Sequence, residues 1–254
     1  MKIVIFSGTT EGRELSRRLA GDGHHVLVSV ASGYGSEEQG RIPGVDVTVG
    51  KKDTAGIREL IRGADLVVDA THPYAVLVTS SVREAAEAEQ IPRLRLLRAA
   101  GEVPEGSGQE IIHADSAEDA AEKLQNVPGR ILLTTGAKEL SIFAGRLDPE
   151  RLIPRVLPTA SSIEACEEAG IPHRNIIAVQ GPFSEDLNRV LIRDYDIACL
   201  VTKDGGAVGG FEPKIAACRA ENIPAVVIRR PGEAGMTMEQ VLEEVRRRSQ
   251  ETER

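Results

Sequence analysis

A series of short loops in this chain combines glycine with hydroxyl and cationic residues, and each loop follows an apolar run. The first is Ser7-Gly8-Thr9-Thr10-Glu11-Gly12, after Lys2–Phe6 and before a helical stretch. Glycine permits a tight turn and lets a ligand approach the backbone. The threonine hydroxyls can donate to phosphate oxygens or cap the helix. A helix N-terminus presents unpaired amides and attracts phosphate. A capped turn without a ligand is the alternative. The G-x-G-x-x-G fingerprint is absent. So is the ribose-reading acid expected about 20 residues later. The second strand ends instead in Ser29-Val30-Ala31-Ser32-Gly33, where Ser29 or Ser32 could meet a 2′-phosphate, with Arg41 beyond.

The second loop is Ala70-Thr71-His72-Pro73-Tyr74-Ala75, after Leu66–Asp69. Histidine titrates near neutral pH, so His72 could donate a proton, bind a carboxylate or serve structure alone. Tyr74 could share a proton relay. Thr71 could cap the next helix, and Pro73 suits its first turn. Three further loops are Thr134-Thr135-Gly136-Ala137-Lys138, Gln180-Gly181-Pro182-Phe183-Ser184 and Thr202-Lys203-Asp204-Gly205-Gly206, with Gly209, Gly210 and Lys214 beyond the last. In a chain of net charge −8, Lys138, Lys203 and Lys214 at strand ends point to a polyanionic ligand, with Arg229-Arg230 as possible additions. Solvated surface lysines are the alternative. Arg246-Arg247-Arg248 follows Glu243-Glu244 on a terminal helical stretch and reads as a solvated face.

These loops need strands and helices to hold them. The sequence alternates β-branched runs with helical stretches, which means parallel sheets with right-handed crossovers. Ligands of open α/β sheets bind beyond the carboxyl ends of the strands, where all these loops fall. Ala99–Gly108 holds three glycines and a proline and reads as a linker. The expectation is an α/β chain of two doubly wound domains, 1–100 and 101–254, with a cleft between them.

Composition narrows the function classes. The 254 residues are 41% hydrophobic and 28% charged, ordinary values for a globular chain. No apolar run approaches the ~18 residues of a membrane span. With no signal-peptide pattern either, a cytoplasmic protein is expected. The acidic balance argues against a nucleic-acid or anionic-membrane surface. Only seven residues are aromatic, four Phe and three Tyr with no Trp, which leaves no stacking platform for single strands. Cys166, Cys199 and Cys218 lack metal spacing and read as buried thiols, so no metal site is expected.

Taken together, Ile5-Phe6-Ser7-Gly8-Thr9-Thr10-Glu11-Gly12-Arg13-Glu14-Leu15, Asp69–Ala75, Thr135–Lys138, Thr202–Gly206 and the closing Ile223–Pro231 resemble the precorrin-6A reductases of cobalamin biosynthesis. The resemblance covers almost the whole chain. It implies two Rossmann-like domains, the first for a nicotinamide cofactor and the second for substrate. It implies an oxidoreductase acting on a CH–CH bond: NADPH or NADH reduces one double bond of a corrin precursor, metal-free or cobalt-bound. The family's Gly-Thr-Thr-Glu loop maps onto Gly8, Thr9, Thr10 and Glu11 as cofactor residues, with Ser32, Thr71 and His72 beside them. His72 and Tyr74 are then the catalytic candidates. Lys138, Ser184, Lys203 and Lys214 would meet the tetrapyrrole carboxylates, in a protein expected to be monomeric. Two rival classes are a two-domain tetrapyrrole synthase without a nucleotide and a non-catalytic nucleotide-sensing module.

Overall fold

The computed structural model describes residues 1–97, 110–205, 210–230, 232 and 234–252. The expected linker at 99–108, together with Gly206, Gly209 and Pro231, lies outside the described residues. The chain forms two compact units, 1–99 with 231–254, and 100–230.

Helix starts follow from side-chain caps. Thr9, Ser32, Asp53, Ser116, Thr159 and Ser184 each sit just before a helix and accept an amide from its first turn. In the first unit this gives β1 (Lys2–Phe6), α1 (Thr10–Gly21), β2 (His25–Val30), α2 (Gly33–Gln39), β3 (Val45–Val49), α3 (Thr54–Ile61), β4 (Leu66–Asp69), α4 (Val76–Ala88) and β5 (Arg93–Arg95). The strands are all parallel, in the order β3-β2-β1-β4-β5. β1 is buried on both faces. Ile3 and Ile5 pack with Leu15 and Leu19 of α1, while Val4 and Phe6 pack with Ile57, Ile61 and Val82 of α3 and α4. A continuous apolar run is what such a strand requires. The order reverses between β1 and β4, so the loops after these two strands lie side by side.

The second unit contains β6 (Ile111–Ala114), α5 (Ala117–Lys123), β7 (Arg130–Leu133), α6 (Leu140–Ala144), β8 (Leu152–Val156), α7 (Ala160–Glu168), β9 (Ile177–Ala178), α8 (Glu185–Asp194), β10 (Ile197–Lys203), α9 (Phe211–Ala220) and β11 (Ala225–Ile228). Its parallel sheet runs β6-β11-β10-β7-β8-β9. Here the order reverses between β7 and β10.

One expectation needs correction. The second domain does not extend to 254. The terminal helix α10 (Met238–Thr252) packs Val241, Leu242 and Val245 against Ile3, Leu15 and Leu19 in the first unit. Two short helices, α2 and α6, follow β2 and β7. The Ser32 cap starts α2 despite glycines at 33 and 35, which disfavour helix. His173–Asn175 forms a 3-10 turn, and β9 is confined to Ile177–Ala178. All three cysteines are free, buried thiols, as expected. Among the described residues no helix is long and apolar enough to cross a membrane.

Candidate functional site

In the first unit the two loops at the switch point are tied by one hydroxyl. Thr9 Oγ1 donates to Ala70 O at 2.8 Å and accepts the Gly12 amide at 3.1 Å. The hydroxyl proton of Thr9 is thus engaged within the chain. Gly8 has φ +132°, a region that disfavours side chains, and a Cβ there would meet nothing within 4 Å. Gly12 is the opposite case. A Cβ on Gly12 would collide with Ser7 Oγ and lie 3.1 Å from Ala70 Cβ, so only glycine lets α1 approach the loops this closely. Ser7 Oγ is buried without a hydrogen-bond partner. Thr10 is exposed, and Glu11 sits half-buried in the first turn of α1, where a carboxylate complements the helix dipole. Ser32 caps α2 at the end of β2, accepting the Gly35 amide at 3.2 Å. The first acids after β2 are Glu37 and Glu38, far along α2.

The β4 loop is fixed from beneath. Asp69 is fully buried, and its Oδ1 accepts the Thr71 amide (3.1 Å), the Thr71 hydroxyl (2.7 Å) and Arg95 Nη1 (3.1 Å). The same Arg95 nitrogen reaches Asp69 O (3.1 Å) and Thr71 O (2.9 Å). Arg93 adds a second cation 3.6 Å from Asp69 Oδ2. Thr71 therefore buttresses the loop and does not cap α4, whose N-terminal Ala75 has no side-chain cap. Pro73 precedes α4 and is not in its first turn. His72 and Tyr74 are brought together. Their ring centroids are 5.5 Å apart, and the Tyr74 amide points to His72 Nδ1 at 3.4 Å. Sequence alone places Asp69 in the family motif without a role and says nothing of Arg95. The available signals were an acid ending an apolar strand and two arginines in the short strand β5.

The second unit treats its three lysines differently. Lys138 is exposed on a one-turn 3-10 helix that Gly136 opens. Lys203 pairs with Glu139 Oε1 at 2.7 Å. Lys214 is buried and donates to Thr202 Oγ1 at 3.2 Å. Thr134 Oγ1 donates to Val201 O at 2.7 Å and ties β7 to β10. Arg230 binds Asp204, through Nε to its carbonyl at 2.7 Å and at 3.6 Å from its carboxylate. Ser184 is the exposed N-cap of α8, accepting the Leu187 amide at 3.2 Å. Lys138 and Ser184 therefore face solvent, while Lys203 has a protein counter-ion. Glu139 stands 64 residues before Lys203, and nothing local in the sequence marks it as that lysine's partner.

Comparison with known proteins agrees with this architecture. The sequence profile of the family described as Precorrin-6x reductase CbiJ/CobK matches residues 2–246. A "Cobalt-precorrin-6A reductase" of Priestia megaterium is 32% identical over 248 residues, covering 96% of each chain. A "Precorrin-6A reductase" of Rhodococcus erythropolis is 35% identical, covering 91% of this chain and 89% of that one. The solved structure "CobK precorrin-6A reductase" superimposes with a TM-score of 0.77 over 96% of both chains at 22% identity, a likeness of fold. A profile spanning nearly the whole chain and relatives above 30% identity lead to one conclusion: the chain belongs to the precorrin-6x reductase family of cobalamin biosynthesis.

Proposed function

We propose that the chain reduces one double bond of a precorrin-6A-type macrocycle with NADPH held by the first unit. The relatives carry names with and without cobalt, and the substrate proposed is the macrocycle common to both. The observation that carries the reading is the joined pair of loops at the β1/β4 switch point, the usual nucleotide position in such sheets. The residues there suit a dinucleotide. Gly8 leaves space for close approach, Gly12 brings in the N-terminus of α1, and the buried Ser7 hydroxyl lacks a partner. Gly8, Thr10 and Glu11 would line the diphosphate, with Thr9 fixing the loop and Thr71 and His72 beside it. No carboxylate follows β2 directly, and Ser32 stands there instead, which favours NADPH over NADH.

When bound, the nicotinamide supplies a hydride to one ring carbon, and a proton is added to its neighbour. The protein binds, orients and excludes water. His72 binds a substrate carboxylate, oriented by its contact with Tyr74 and by the Asp69–Arg95 support below. Lys138 and Ser184 meet further carboxylates. Fluorescence titration with NADPH and NADH, followed by cofactor oxidation on adding precorrin-6A, tests the reading. Tighter NADPH binding and macrocycle-dependent oxidation are expected. Absence of nucleotide binding would favour the nucleotide-free synthase, and binding without turnover the sensing module. His72→Asn should raise KM while the pH profile keeps its shape. A lost neutral limb at unchanged KM would make His72 the proton donor instead.

A further inference from the structure

We propose that Arg155 in the second unit is the core of a carboxylate-binding subsite that reads one acidic arm of the tetrapyrrole. The inference rests on the substrate class proposed above. Arg155 lies near the carboxyl end of β8, opposite Ile177 of β9, and is only 6% exposed. Its Nη1 donates to Asn188 Oδ1 at 2.8 Å. Asn188 is itself fully buried and donates through Nδ2 to Ser184 O at 2.7 Å, which turns its oxygen toward the arginine. The Phe183 ring covers the guanidinium, 4.0 Å from Cζ to the ring centroid. The cation is thus held from two sides by neutral groups.

What it lacks is a counter-ion. Among the described residues no carboxylate pairs with Arg155, and its Nε and Nη2 donate to no protein group. Lys203 and Arg230, at the same edge of the same sheet, each have an acid. A buried charge without a partner is costly, and removing one acid from a buried pair is among the larger single losses of stability. Burial pushes the Arg155 pKa down to about 10, still well above neutrality, so the group remains a cation. Its planar fork is matched to a carboxylate.

The surroundings suit a flat ring with acidic arms. Leu157 continues β8 and Val179 continues β9, and the Val179 amide donates to Val156 O at 2.9 Å. Both side chains are 37% exposed, and Leu187, one residue before Asn188, is 40% exposed. Apolar side chains therefore flank the buried cation at the carboxyl edge of the sheet, where ligands of such folds bind.

Uroporphyrin, a tetrapyrrole polycarboxylate, serves as probe, titrated into the full-length chain and followed by its Soret band. Arg155→Gln is expected to weaken binding about tenfold or more, the scale of one charge-assisted contact, with NADPH affinity unchanged. Asn188→Asp provides the missing carboxylate inside the protein, so it should keep the fold and still weaken uroporphyrin binding. The second variant separates binding from folding if Arg155→Gln melts early. Wild-type affinity in both variants would overturn the subsite alone. Failure of the unsubstituted chain to bind uroporphyrin would overturn the tetrapyrrole reading and the subsite with it.

Discussion

At the switch point of the first unit, the loops after β1 and β4 are joined by a hydroxyl donating to a carbonyl, Thr9 to Ala70. At the corresponding point of the second unit, Thr134 makes the same kind of tie to Val201, and the Lys203–Glu139 ion pair is added beside it. The first unit keeps a charge pair beneath the loop, the buried Asp69–Arg95, and leaves Gly8 and Thr10 exposed. The second keeps cations at the edge itself: Lys138 exposed, Lys203 paired, and Arg155 buried without an acid. On the function proposed above, one topology carries two recognition chemistries. Backbone and hydroxyl groups suit a diphosphate. Side-chain cations suit carboxylates.

The largest effect is expected at Asp69, beneath the loops of the first unit. Asp69→Ala leaves Arg95 without its buried carboxylate and frees Thr71, so the first unit should lose about 3–5 kcal/mol in denaturant unfolding. A loss under 1 kcal/mol would mean the loop is not supported from below. Gly12→Val comes next, because its side chain must displace Ser7 or Ala70. It should cost about 1–3 kcal/mol, and Ser7→Ala in the same chain should recover part of that. Equal losses with and without Ser7→Ala would locate the clash elsewhere.

Thr9→Val sharpens the difference further. It removes a helix cap and the tie to Ala70, at about 1 kcal/mol. NADPH affinity measured on the folded protein should fall only modestly, since the Thr9 proton is engaged within the chain. A large loss of affinity at unchanged stability would make Thr9 a direct phosphate ligand. In the second unit, Lys203→Ala should lower stability by up to about 1 kcal/mol, the upper end for a half-exposed pair, and Lys138→Ala by nothing measurable. Lys138→Ala should instead raise KM for the macrocycle; a normal KM would remove Lys138 from the site.

The smallest effect at neutral pH concerns the thiols. Burial pushes Cys199 and Cys218 up to about 12, and the first unit contains no cysteine. Unfolded thiols ionise near pH 9 while the folded ones stay protonated, so the unfolded state binds fewer protons between pH 9 and 12. Stability of the second unit should fall across that window as pH rises. Cys199→Ala should flatten the slope, and an unchanged slope would assign the alkaline loss to other groups.

Much of this was legible in sequence because it is local. β-branched runs mark the strands, and the threonines of the first loop mark the start of α1. The burial of β1 on both faces followed from its unbroken apolar run. What escaped depends on pairing across long separations. Nothing local shows that Val241 and Val245 complete a core begun by Ile3. Nor does sequence show that Lys203 finds Glu139, or that Arg95 lies beneath Asp69. Arg155 is one charge within an apolar strand in sequence, and only the fold sets Asn188 and Phe183 beside it.

A division of labour, nucleotide to the first unit and tetrapyrrole to the second, is open to hydrogen–deuterium exchange of the whole chain with and without saturating NADPH. Slowed exchange is expected at residues 7–13 and 70–75, with the loops at 134–139 and 179–184 unchanged. Protection confined to the loops of the second unit would contradict it.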